Sequence, residues 1–228
     1  MKKIAILQSN YIPWKGYFDL IASVDEFIIY DEMQYTKNDW RNRNKIKTNK
    51  GEEWITIPVR IESLSQSINQ TQVFSSNWAT KHSKTIQANY AKAKYFNAHK
   101  DFVFELYNQA SKTNYLSEIN FIFIKNICEF LNIKTKISFS TDYNLIEGKT
   151  ERLVDLCKQT QATHYISGPA AKNYLEESLF SKENINLEWM DYSGYQEYNQ
   201  LFPPFEHGVT ILDLIFNEGT DSRKFLKF

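Results

Sequence analysis

The chain has 228 residues, long enough to bury a substantial core as one domain over residues 1–228 that carries an insertion. Its 27 Lys and Arg balance 27 Asp and Glu, so no global field gathers DNA or an anionic membrane and any anion site must be local. No run approaches the roughly 20 apolar residues that cross a bilayer, the apolar part of MKKIAILQSNYIPW is too short for a signal peptide, and two cysteines, Cys128 and Cys157, without C-x-x-C spacing point to a reducing cytoplasm and to neither a metal knuckle nor a redox pair.

Lys3–Gln8 is apolar without alternation after Lys3, the pattern of a buried parallel strand. NYIPWKGYF (Asn10–Phe18) follows as an aromatic, Pro-containing turn, and Tyr17–Val24 continues as a helix. In α/β enzymes such a first turn is where a nucleotide or acyl donor lies against helix-start N–H groups; a hydrophobic anchor is the plainer alternative. Glu26–Met33 reads as a second strand and completes a β-α-β unit. After the polar stretch QYTKNDWRNRNKIKT, the sequence NKGE at Asn49–Glu52 is a hairpin turn in which Gly51 supplies a positive φ.

From Ser76 to Leu131 the spacing is helical, with breaks expected near Asn97–Asp101 and Ser111–Asn114 and hence two or three helices. Lys136–Phe139 reads as a strand, Glu151–Thr160 as a helix, and His164–Ser167 as a strand running into the Gly168-Pro169 turn. Asn186–Asp191 is the last strand and Val209–Phe216 the last helix. This alternation predicts an α/β fold: a mostly parallel, Rossmann-like sheet flanked by helices, with a β-hairpin insertion near residues 41–60 and a helical segment near 76–132.

Three polar clusters fall where strands end. The first holds Gln8, Asn10, Trp14, Lys15 and Tyr17; the second Gln34, Tyr35, Lys37, Asp39, Trp40, Arg41 and Arg43; the third Ser167, Gly168 and Pro169, followed by Lys172 and Tyr174. Ligands of open α/β sheets sit outside the carboxyl ends of the strands, so the three clusters are expected to line one pocket. Arg41, Arg43 and Lys37 suit a phosphate or carboxylate, while Trp40 and Tyr35 offer faces on which a base or sugar can stack; a solvated hairpin face would show the same residues. The i, i+2 spacing of Arg41 and Arg43 on an extended segment aims both to one side. Asp39 is a candidate general base or an ion-paired orienter, and His207 with Glu206 is a candidate general base or a helix anchor. His82, His99 and His164 lack partners at ligand spacing, so no metal site is expected, and no cofactor is identified. P-loop, G-x-S-x-G and G-x-G-x-x-G motifs are absent from the sequence. In WKGY (Trp14–Tyr17), Gly16 matches the glycine of the H-x-G-H turn of nucleotidylyltransferases, but both histidines are missing, which argues against adenylyl transfer.

QSNYIPWKGYFDLI, FIIYDEMQYTKNDWRNRNKIKT with EEWITIPV, THYISGPAAKNYL and FEHGVTILDLIFNEG, in that order, resemble the WbqC-like protein family along almost the whole chain. Ser9 and Glu218 stand where that family commonly has proline and cysteine, so Cys-based catalysis is not expected here. The resemblance implies a place in bacterial O-antigen or other surface-polysaccharide biosynthesis. The implied activity is a cytoplasmic transferase that adds a small acyl or aminoacyl group, glycyl among the candidates, to a nucleotide-linked amino sugar. Two other readings stand beside it: a non-catalytic partner of the polysaccharide enzymes, and an enzyme drawing on an aminoacyl-tRNA donor, against which the neutral charge argues.

Overall fold

The computed structural model describes residues 1–75 and 77–228. β1 (Lys3–Leu7) pairs in parallel with β2 (Glu26–Ile29) on one side and with β6 (His164–Ser167) on the other. β5 (Lys136–Phe139) extends the sheet beyond β2 and β7 (Asn186–Trp189) extends it beyond β6, both in parallel, giving the order β5-β2-β1-β6-β7. β3 (Arg43–Thr48) and β4 (Gly51–Thr56) form a separate antiparallel hairpin whose turn glycine, Gly51, has φ +108.

The strand residues divide between two cores with a period of two. Ala5, Phe27 and Ile29 pack with α1 (Lys15–Ala22), α2 (Trp78–Tyr90), α3 (Phe96–Ala110), α4 (Leu116–Phe130) and α7 (Ile211–Glu218). Ile4, Ile6 and Ile28 pack on the other face with α5 (Thr150–Gln159) and α6 (Glu177–Lys182). Both faces are therefore covered, which is why these strands read as continuous apolar runs.

Several boundaries differ from those expected. The second strand stops at Ile29 because the buried Asp31 carboxylate turns back to accept the Ser9 backbone N–H at 2.8 Å and the Ser9 hydroxyl at 2.7 Å. The first helical break lies at Ala91–Tyr95, so Asn97–Asp101 is inside α3; the Tyr95 N–H donates to the Phe216 carbonyl at 2.9 Å, a partner from the far end of the chain. The expected helical start at Ser76 lies outside the described residues. α6 and the 3-10 turn Pro169–Asn173 are additional elements, the latter opened by Pro169 in its first turn.

Candidate functional site

The opening turn is held from two sides. The Tyr11 N–H donates to the Trp40 carbonyl at 2.9 Å, and the buried Asn44 amide donates to the carbonyls of Tyr11 at 3.0 Å and Ile12 at 2.7 Å. Ile12 sits at φ +42, a costly conformation for a β-branched residue that these bonds and full burial enforce. The Ile211 N–H at the start of α7 donates to the Pro13 carbonyl at 3.0 Å. The Trp14 indole then folds over Gly16, which has no Cβ to obstruct it, and meets the Tyr192 ring at 5.2 Å and the Tyr195 ring at 5.7 Å. The first-turn N–H groups of α1 are thus roofed by tryptophan.

Arg41 joins the first two polar clusters. Its guanidinium donates to the Asn10 side-chain oxygen, to the Gln8 side-chain oxygen at 3.3 Å and to the Ser9 carbonyl at 3.5 Å, and its Nε lies 3.6 Å from the Asp39 carboxylate. The other Asp39 oxygen accepts the Trp40 N–H at 2.7 Å, so Asp39 orients Arg41 and Trp40. Beneath them the Asn120 amide donates to the Ser9 hydroxyl and to the Arg41 carbonyl, both at 2.9 Å. Arg43 does not converge with Arg41: it donates to the Asn38 carbonyl and stacks over the Trp54 ring at 4.1 Å, and Trp54 in turn lies 5.0 Å from Trp40.

Two cavities open at the carboxyl end of the sheet. The first, about 470 Å³, lies where the strand order reverses between β1 and β6; it is lined by Gln8, Ser167, Gly168, Tyr174, Lys149 and Arg152 over walls from Ile6, Leu7, Met33, Leu153 and Tyr165. The second, about 280 Å³, is lined by Asn10, Pro13, Trp14, Trp40, Asn44 and Gly208. Arg41 touches Gln8 of the first and Asn10 of the second, and Tyr192 packs on Trp14 while its hydroxyl approaches Gly168. The expected single pocket is therefore divided into two neighbouring chambers.

Lys15 and His207 are not in the wall of the second chamber, but each is the chain neighbour of a residue that is, Trp14 and Gly208. Lys15 is 3% exposed, donates to the Gln196 carbonyl at 3.2 Å and lies under the rings of Tyr195, Tyr198 and Phe205 at 4.8, 5.3 and 5.8 Å. Burial lowers its pKa to about 8 against the opposing pull of Asp19, Asp213 and Glu197. His207, next to Gly208, packs on Phe205 at 4.7 Å; its pKa is lowered by burial and then by Lys15, and its buried Nδ1 has no partner among the described residues. Among the described residues no hydrogen bond joins Glu206 to the imidazole; the Glu206 backbone N–H donates to the Gln200 side-chain oxygen at 2.9 Å, and the cap of α7 is the Thr210 hydroxyl, not Glu206 or His207.

The remaining sequence candidates fall elsewhere. Tyr17 is buried with its hydroxyl on the Gln8 carbonyl at 3.0 Å, where burial raises its pKa, and it supports the site from below. Tyr35 is also buried; burial and then Asp39 push its pKa to about 12. Lys37 is exposed, and Lys172 lies over the Trp189 ring at 5.5 Å, outside both cavity walls. Lys149, Arg152, Tyr192 and Tyr195 were not legible as site residues, because their spacing carries no motif and only the fold brings them to the strand ends.

Among the described residues no helix is long and apolar enough to cross a membrane. No solved structure matches the chain. An uncharacterized protein of Mycobacterium tuberculosis, Rv1507c, is 49% identical over 229 residues, covering 100% of this chain and 99% of that protein. The model of the WbqC-like protein family matches residues 8–225, a span that begins just after β1 and takes in the hairpin, the second cavity, all of the first cavity's lining except Ile6 and Leu7, and α7. The chain belongs to the WbqC-like protein family.

Proposed function

We propose that this protein is a cytoplasmic transferase of O-antigen or surface-polysaccharide biosynthesis that adds a small acyl or aminoacyl group, such as glycyl, to a nucleotide-linked amino sugar. The observation that carries this reading is the pair of chambers bridged by Arg41: one sized for a small ligand at the sheet's switch point, the other aromatic and lined by Gly208, whose chain neighbour His207 has a buried Nδ1 without a partner among the described residues. Trp14 and Trp40 suit the faces of a sugar ring, and Asn10 supplies a polar contact. His207, kept neutral near pH 7 by burial and by Lys15, takes a proton from the sugar ammonium. The freed amine attacks the acyl carbonyl of an activated ester; the new C–N bond forms as the bond to the carrier breaks, and the released proton goes to the leaving group.

A thermal-shift screen with nucleotide sugars tests this, followed by a turnover assay with an activated acyl donor. A nucleotide-linked amino sugar is expected to raise the melting temperature and to be acylated. A chain that responds to no nucleotide sugar fits the non-catalytic partner instead.

A further inference from the structure

Arg41 and Arg43 do not converge into one clamp: the first is held by Asp39, Asn10 and Gln8, and the second turns away to the Asn38 carbonyl and the Trp54 ring. Another pair of cations stands in the first cavity. Lys149 and Arg152 line its wall, no carboxylate does, and among the described residues neither forms an ion pair. Arg152 is already oriented, its Nε donating to the Ile146 carbonyl and one Nη to the Tyr30 hydroxyl at 3.1 Å. Two of its five N–H donors are thereby used and three remain. Of the nearby carboxylates, Glu32 accepts from Ser140 and Asn69, and Glu151 folds back against Gly148 at the cavity's rim while also lining a neighbouring surface depression.

A fixed guanidinium with free donors, a lysine beside it and an otherwise apolar chamber form a receptor for an anion carried on a flat or apolar body. The geometry points to the first cavity as the seat of a nucleoside diphosphate, with Arg152 and Lys149 gripping the diphosphate and the Ile6, Met33 and Leu153 side receiving the nucleoside. The sugar then extends past Gln8 and Arg41 toward Trp14 and Trp40. This deepens the transferase reading and rests on it for the identity of the sugar alone.

Calorimetric titration with UDP and with inorganic pyrophosphate, on the wild type, Arg152→Gln and Lys149→Gln, tests the assignment. UDP is expected to bind at least tenfold more tightly than pyrophosphate, because the apolar wall adds to the anion contact. Arg152→Gln should weaken UDP at least tenfold and Lys149→Gln several-fold, with affinity falling as salt rises. Lys149 is exposed at the rim, so its variant remains informative if Arg152→Gln folds poorly. No UDP binding by the wild type, equal affinity for UDP and pyrophosphate, or unchanged binding in the variants would overturn the assignment. UDP held through Arg152 with no amino sugar acylated would leave this site standing and remove the transferase reading.

Discussion

Trp14 and Gly16 are in contact across the first turn of α1: a Cβ built on Gly16 would lie 2.8 Å from the Trp14 Cε2, so the indole can roof the helix only because residue 16 is glycine. Gly16→Ala is expected to push Trp14 off Tyr192 and Tyr195 and to cost about 1–3 kcal/mol, the usual range for overpacking. Urea denaturation gives the loss, and a change in tryptophan fluorescence in the folded variant reports the displaced ring. An unchanged spectrum and stability would show that the turn adapts without moving Trp14.

Arg41 should be structural as well as functional. Arg41→Ala strands the Asn10 and Gln8 side-chain oxygens and the Asp39 carboxylate at a part-buried position, for an expected loss of about 1–3 kcal/mol. Arg43→Ala forfeits a cation–π contact with the half-exposed Trp54 and is expected to cost about 0.5–1 kcal/mol. Equal melting temperatures for the two variants would contradict this ranking.

At the opposite end of the sheet, Glu26 sets an acid limit on stability. Its carboxylate, 1% exposed, accepts from Lys2, Lys136 and Ser138, each at 2.8 Å, and from Tyr143. Burial alone would raise its pKa, but the bonds from Lys136, Lys2, Tyr143 and Ser138 outweigh it and hold the group at about 2. The pKa is depressed on folding, so the stabilisation is complete above about pH 4.5 and is lost as pH falls through about 2. An upper bound is about 3 kcal/mol, reduced by screening at the exposed Lys136. Glu26→Gln should remove this limb from the stability profile measured by denaturant titration; a profile identical to wild type would refute the assignment.

His207→Asn is expected to keep UDP-linked ligand binding and to lower turnover by about 10² to 10⁴, the cost of a lost general base. Since burial and Lys15 both lower the His207 pKa, the acid limb of kcat/KM should lie below the ordinary histidine value of about 6.5. Lys15→Met removes the positive neighbour, so the limb should move to higher pH. Full activity in His207→Asn would end the base assignment.

The residues alone determine where the sheet and hairpin form. Lys136–Phe139 and His164–Ser167 are strands as their apolar and β-branched content implies, and Gly51 turns the hairpin with the positive φ that its position demands. Gln8, Gly168, Asn10 and Trp40 likewise reach the carboxyl end of the sheet because each follows directly on a strand or on the loop packed against it. These outcomes follow from period, turn chemistry and parallel topology, which neighbouring residues carry among themselves.

Only the tertiary structure decides what the charged groups are free to do. Arg41 and Arg43, two residues apart, part because Asn10 and Trp54 arrive from different segments, while Arg152 finds the Tyr30 hydroxyl across 122 positions of sequence. Lys15 is caged by rings some 180 residues further along, contacts that no local pattern encodes. A charge becomes available to a ligand when its neighbours leave its donors unspent, and those neighbours are assembled by folding; spacing along the chain can nominate a cation but cannot show whether it is already paired.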